Sequence, residues 1–252
     1  MNSEPGIAIR DVVVEHDGFQ ALEDVTFAVP SGTLMGVLGP NGAGKSTLFD
    51  AIAGVHPITS GQITLSGMGQ RRGALAYVPQ RDSINWSFPA TALDVVMMGL
   101  SGRVAWYRGP SKHDREIARS CLERVRLWER RGALMTELSG GQRQRVFIAR
   151  ALAQDARIIL LDEAFSGVDV AAQEGIVRVL QSLRDEGRIV LLATHDLTNL
   201  AERFDQVLCI NRHVCACGPP EEAFTPEVLE ELYGSHGVEF AQGNGLAAGG
   251  RQ

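Results

Sequence analysis

The sequence predicts an α/β fold: a core with a mixed sheet, an antiparallel β-subdomain at the N-terminus, and a helical subdomain inserted in the core. Three observations predict it. Short, unbroken apolar runs at 34–38, 158–161 and 189–193 read as strands buried on both faces. Two β-branched, alternating stretches at 7–14 and 21–29 come first, joined through Asp17-Gly18, a pair suited to a hairpin turn. From about 90 to 155 the pattern is helical, with no strand-like run between.

Composition sets the outer bounds. The 252 residues suffice for one large domain, 44% hydrophobic and 21% charged, as in ordinary globular chains. A net charge of -6 argues against nucleic acid as a partner. The longest apolar runs fall well short of the ~20 residues of a membrane span, and the first residues lack the charged-then-apolar order of a secretory signal. Any membrane role is therefore expected to be peripheral. Cys121, Cys209, Cys215 and Cys217 lack disulfide-scaffold spacing and read as reduced, intracellular thiols. Alternation on a strand would put His213, Cys215 and Cys217 on one face as metal ligands, but without a fourth ligand nearby the preferred reading is ordinary strand residues.

The core of the prediction is Gly39-Pro40-Asn41-Gly42-Ala43-Gly44-Lys45-Ser46-Thr47. It stands between the strand at 34–38 and a helix at 48–54 closed by glycine. Strand, glycine-rich turn and helix make a phosphate cradle, the mark of a P-loop NTPase core. Glycines let backbone N–H groups approach a terminal phosphate with no Cβ in the way. The helix opening at Gly44 adds its positive end, Lys45 reaches the outer phosphates, and the Ser46 hydroxyl suits Mg2+.

The remaining elements follow in order. In the first hairpin turn, His16 and Phe19 are the ring-bearing side chains, and either could stack on an adenine or simply lie on the surface. Strands are expected at 61–66 and 74–78, the second leading into Gln80, a neutral side chain able to bond Mg2+ water. Trp86 and Phe88 stand in a connection that should be polar. They either fold under the domain or, the preferred reading, form a docking surface for another protein. Helices are expected at 92–98, ended by Gly99, and from a Ser111 cap to about 125, with a loop at 103–109 between. Ser139, Gly140, Gly141 and Gln142 precede a helix at 143–153 and form either a second anion site or a simple cap.

The strand at 158–161 ends in Asp162 and Glu163. Carboxylates at the C-terminal end of such a strand face a ligand crevice, where Asp162 would hold Mg2+ and Glu163 would polarise water. A turn at 166–169 leads into a helix at 170–184. The strand at 189–193 leads to His195, placed to contact a terminal phosphate or the attacking water, and to Asp196, a cap for a helix from 197. A hairpin at 205–210 and 213–217, a helix from Pro226 to about 233 and a Gly/Ala-rich mobile tail at 235–252 complete the chain.

Taken together, the phosphate loop, Gln80, Leu138-Ser139-Gly140-Gly141-Gln142, the Asp162-Glu163 strand and His195 resemble an ATP-binding cassette ATPase over 7–234. Val78-Pro79-Gln80-Arg81, Asn85-Trp86-Ser87-Phe88-Pro89 and Cys217-Gly218-Pro219-Pro220 are similar to the ATPase subunits of manganese, zinc and iron importers. The resemblance implies ATP and Mg2+ as cofactors and a head-to-tail homodimer, with the signature at 139–142 acting on the partner's ATP. Catalysis would rest on Lys45, Glu163 and His195, and Mg2+ on Ser46, Gln80 and Asp162. It also implies an integral membrane permease, engaged through Trp86 and Phe88, an extracytoplasmic metal-binding protein, and a position at the cytoplasmic face of the membrane. The cargo would be a divalent metal; another small molecule is the alternative. Two departures stand out: the family usually has an aromatic, mostly tyrosine, where His16 stands, and proline where Ala164 stands.

Overall fold

The computed structural model describes residues 6–16, 18–66, 74–79, 89–102, 109–165, 168–194 and 200–234. In chain order the elements begin with β1 (Ile7–His16), β2 (Phe19–Val29), β3 (Leu34–Leu38), α1 (Lys45–Ala53), β4 (Ser60–Leu65) and β5 (Leu75–Val78). Then come α2 (Ala92–Met98), α3 (Lys112–Arg124), α4 (Gly140–Gln154), β6 (Ile158–Asp162), α5 (Val170–Asp185) and β7 (Ile189–Thr194). The chain closes with α6 (Leu200–Arg203), β8 (Gln206–Asn211), β9 (His213–Gly218), α7 (Pro220–Ala223) and α8 (Pro226–Tyr233). It divides into two compact units, one of 1–67 with 189–252, the other of 68–188.

In the first unit β3 lies between β7 and β8 in parallel register, and β8 turns back antiparallel into β9. All five residues of β3 and all six of β7 are buried, as continuous apolar runs require of central parallel strands. A separate antiparallel sheet has the order β2-β1-β4. β1 is longer than its alternation predicts, because a bulge resets the parity. Ile7 and Ile9 are buried, then Val12 and Val14, with Asp11 at φ 50° taking up the extra residue. The Asp11 N–H donates to Thr26 Oγ1 at 2.8 Å, and the Thr26 hydroxyl donates to Asp11 Oδ1 at 3.1 Å, so the bulge is tied to β2.

In the second unit β5 pairs in parallel with β6, and α2, α3 and α4 pack against one another. The helices α2, α3 and α4 each begin with a reciprocal cap. The Asp94 N–H donates to Thr91 Oγ1 while the Thr91 N–H donates to Asp94 Oδ2, and Ser111 and Asp114 repeat the arrangement. The predicted helix at 143–153 runs as α4 over Gly140–Gln154, because Ser139 caps it three residues earlier. The predicted helix at 48–54 begins at Lys45 and ends at Ala53, with Gly44 and Gly54 as left-handed caps. Two 3-10 turns, Trp128–Arg130 and Met135–Glu137, lead into α4. They are too short to leave a periodic signal. Among the described residues no helix is long and apolar enough to cross a membrane.

Candidate nucleotide site

The phosphate loop runs from the end of β3 to the start of α1. Gly44 sits at φ 92°, a left-handed conformation that lets the chain turn into the helix. A Cβ there would meet Ala21 O and Leu22 Cδ2 at 2.7 Å, and one on Gly39 would meet Ile210 O at 2.2 Å. Neither position has room for a side chain. Lys45 is 5% exposed, and its Nζ donates to Gly39 O at 2.7 Å and Pro40 O at 2.8 Å. The ammonium is thus held against the backbone of the loop. Ser46 is the exposed second residue of α1.

Sequence reasoning missed what holds this loop. Arg212, in the turn between β8 and β9, donates its N–H to Ala43 O at 2.9 Å, and its own carbonyl accepts from Glu23 N at 2.9 Å. The loop is thereby stitched to β2 through one residue at φ 64°. Its guanidinium lies over the Phe19 ring, 4.5 Å from the centroid. Only the three-dimensional pairing of β8 with β9 could reveal it.

Of the two rings considered for adenine, Phe19 is covered by Arg212, while His16 stacks on His56 at 3.9 Å with the planes 4° apart. His56 was not foreseen, since it follows α1 and lies forty residues away in sequence. Both rings are exposed, and each is backed on one face, His16 by the His56 ring and Phe19 by the Arg212 guanidinium.

In the other unit, Asp162 is the last residue of β6 and 3% exposed. Glu163 follows, half-buried, at φ 48°. A non-glycine residue in that region is strained by about 1–3 kcal/mol, and strain of this kind gathers where a side chain must be aimed. Ala164 is buried. Of the donors expected for a metal, Ser46, Gln80 and Asp162, the Ser46 hydroxyl and the Asp162 carboxylate stand in separate units, and each offers oxygen. They suit a hard divalent ion such as Mg2+, which when bound offsets phosphate charge.

The signature segment opens α4. Ser139 Oγ accepts from Gln142 N at 3.3 Å, and Ser139 N donates to Gln142 Oε1 at 3.0 Å. Arg143 donates to Met135 O at 2.7 Å and Thr136 O at 2.8 Å, fixing the turn before it. Gly141 is buried, and a Cβ on it would stand 2.9 Å from Ala172 Cβ and 3.2 Å from Val168 Cγ1, so its role is close packing against the start of α5. The capping arrangement matches those of α2 and α3 with one difference. Those helices place Asp94 and Asp114 in the first turn, whereas α4 has no acid there, and neither has α1. The first turns of α1 and α4 thus bring no acid of their own to the positive helix end.

Gln80, Trp86, Phe88, His195 and Asp196 lie outside the described residues, as does the tail at 235–252. The four cysteines are free thiols. Burial pushes Cys121 up to about 11 and Cys209 up to about 12, so both stay protonated and inert as nucleophiles.

Comparison with known proteins places this geometry. The ABC transporter family matches residues 22–166. The manganese transport system ATP-binding protein MntB of Bacillus subtilis (strain 168) is 40% identical over 98% of this chain and 99% of its own. The zinc transport system ATP-binding protein TroB of Treponema pallidum (strain Nichols) is 41% identical over 94% of this chain and 91% of its own. A bacterial ABC transporter cassette solved as a dimer superposes with a TM-score of 0.71 at 28% identity, covering 84% of this chain and 98% of that one. Phosphate loop, capped signature helix and carboxylate-ended strand stand in a chain that matches such relatives almost end to end, and the chain belongs to the ABC transporter family.

Proposed function

We propose that this chain is the ATP-hydrolysing subunit of an importer for a divalent metal ion (manganese, zinc or iron), working as a homodimer on a separate membrane permease. The observation that supports the dimer is that α1 and α4 both open with no acidic residue in the first turn, so each leaves its positive end to an anion. A single γ-phosphate between two copies would use both. Lys45 and the loop N–H groups at 39–47 hold the outer phosphates of one copy's ATP, with adenine against His16. Ser139, Gly140, Gly141 and Gln142 of the second copy face the γ-phosphate. Ser46, Asp162 and Gln80 supply oxygens for Mg2+, Glu163 orients the attacking water and takes its proton, and His195 steadies the γ-phosphate. Closing around ATP and opening after hydrolysis moves the permease. The chain sits at the cytoplasmic face of the membrane, and an extracytoplasmic metal-binding protein delivers the ion. The cargo reading is supported by the manganese and zinc systems of the two relatives.

Gln142→Glu separates anion binding from capping. Glutamate keeps the reciprocal bond with Ser139, so the melting temperature stays within a degree or two. Its charge opposes the γ-phosphate, and ATP turnover by the assembled dimer falls about tenfold. Unchanged turnover would make the segment a cap alone.

Trp86→Ser with Phe88→Ser tests the docking assignment. The pair is expected to uncouple transport and weaken permease binding while basal ATPase persists. Unchanged permease binding removes the assignment. Proteoliposomes carrying this chain and its permease test the cargo. ATP-dependent accumulation of labelled Mn2+, Zn2+ or Fe2+ is expected, and transport of some other solute with none of these ions moved would overturn it.

A further inference from the structure

β9 and α8 bring three donors of different chemistry to one point. His213 Nε2 donates to Glu231 Oε1 at 2.7 Å, Cys215 Sγ lies 3.9 Å from the same nitrogen, and the three ligand atoms all lie within 4.8 Å of one another. Among the described residues no other three His, Cys, Asp or Glu side chains gather in this way. The strand alone would have offered Cys217 in place of Glu231. A bulge decides otherwise. Ile210 pairs with Val214 and Cys209 with Ala216, leaving Cys215 as the extra residue. The bulge ends the alternation between Cys215 and Cys217, so the second cysteine is not among the three. Thr225 and Pro226 open α8, Leu229 and Leu232 bury its inner face, and that packing presents Glu231 to His213.

We propose that His213, Cys215 and Glu231 form a site for a borderline-soft divalent ion of the zinc class, with a fourth coordination position open to solvent. Bonds of about 2.0–2.1 Å to nitrogen and oxygen and about 2.3 Å to sulfur put tetrahedral ligands about 3.3–3.7 Å apart. The observed 2.7 and 3.9 Å bracket that range, so small side-chain rotations close the site. The thiol and the imidazole Nε2 release their protons to solvent on binding. A thiolate with an imidazole favours Zn2+ or Co2+ over Mn2+ or Mg2+, which prefer all-oxygen sets. The site therefore differs in kind from the oxygen-lined Mg2+ position, and it stands whichever ion the transporter carries. Bound metal would clamp α8 to β9.

The test is equilibrium dialysis of the full chain against buffered Zn2+ in a phosphine reductant, followed by metal analysis. One Zn2+ per chain is expected, undisturbed by a hundredfold excess of Mn2+. Co2+ in its place should give a thiolate-to-metal charge-transfer band. Cys215→Ser and His213→Ala should each weaken binding by about 100-fold or more, since outer-shell changes alone cost 10–100-fold, while Cys217→Ser should not. Zn2+ should also slow amide exchange across α8 in the parent and not in Cys215→Ser. Should the parent retain no Zn2+, or Cys215→Ser bind it as tightly, the three residues are a surface hydrogen-bonded cluster and the proposal fails.

Discussion

Glu163→Gln binds ATP with near-parent affinity and hydrolyses it about 10²–10⁴-fold more slowly. The substitution is close to isosteric, so the fold and the ATP contacts persist. What is expected to be lost is the base proposed at 163. The carboxylate stands one residue past a fully buried strand, with its backbone at φ 48°. Alanine at 164 leaves an N–H there that the family's usual proline lacks, and it does not change which side chain takes the proton. Nucleotide binding and steady-state phosphate release, measured on the same preparation, check the split. Parent-rate turnover would take the base away from Glu163.

Lys45→Ala is expected to lose both binding and turnover, with hydrolysis down about 10²–10³-fold at saturating ATP. Its ammonium serves the loop as well as the ligand, bridging the Gly39 and Pro40 carbonyls from a buried position. Its removal takes the ammonium from both carbonyls, of which Pro40 O keeps the Ala43 N–H, and each such bond to a charged group is worth about 1.5–3 kcal/mol. Stability therefore falls together with activity. Lys45→Arg sharpens the point: charge survives, but a planar guanidinium does not fit where a compact ammonium sits between two carbonyls. Thermal melts with and without ATP separate the two effects. ATP stabilises the parent through mass action and should not stabilise Lys45→Ala.

What could be read from the chain beforehand was what local physics encodes. Continuous apolar runs identified β3, β6 and β7. Ser111 announced α3 because a hydroxyl before a polar turn is a local instruction. The strand–loop–helix around Lys45 followed from glycine spacing, although α1 starts three residues before its apolar pattern does. What could not be read depends on distant residues meeting. The bulges at Asp11 and Cys215 break alternation in a way no periodicity announces. His56 backs His16, Arg212 holds the phosphate loop, and Glu231 replaces Cys217 beside His213. Each pairing brings together residues far apart in the chain, which neighbouring sequence does not encode. The acid-free first turn of α4 lies between these cases: its glutamine is visible in the chain, but its meaning appears only beside the aspartates in the first turns of α2 and α3.

The account turns on ATP joining two copies of this chain. The most direct measurement is the sedimentation mass of Glu163→Gln with and without saturating MgATP. A shift from the 27.2 kDa chain to twice that mass on adding nucleotide is the expected result. A single-chain mass that stays unchanged in MgATP, with binding confirmed in the same sample, would contradict it.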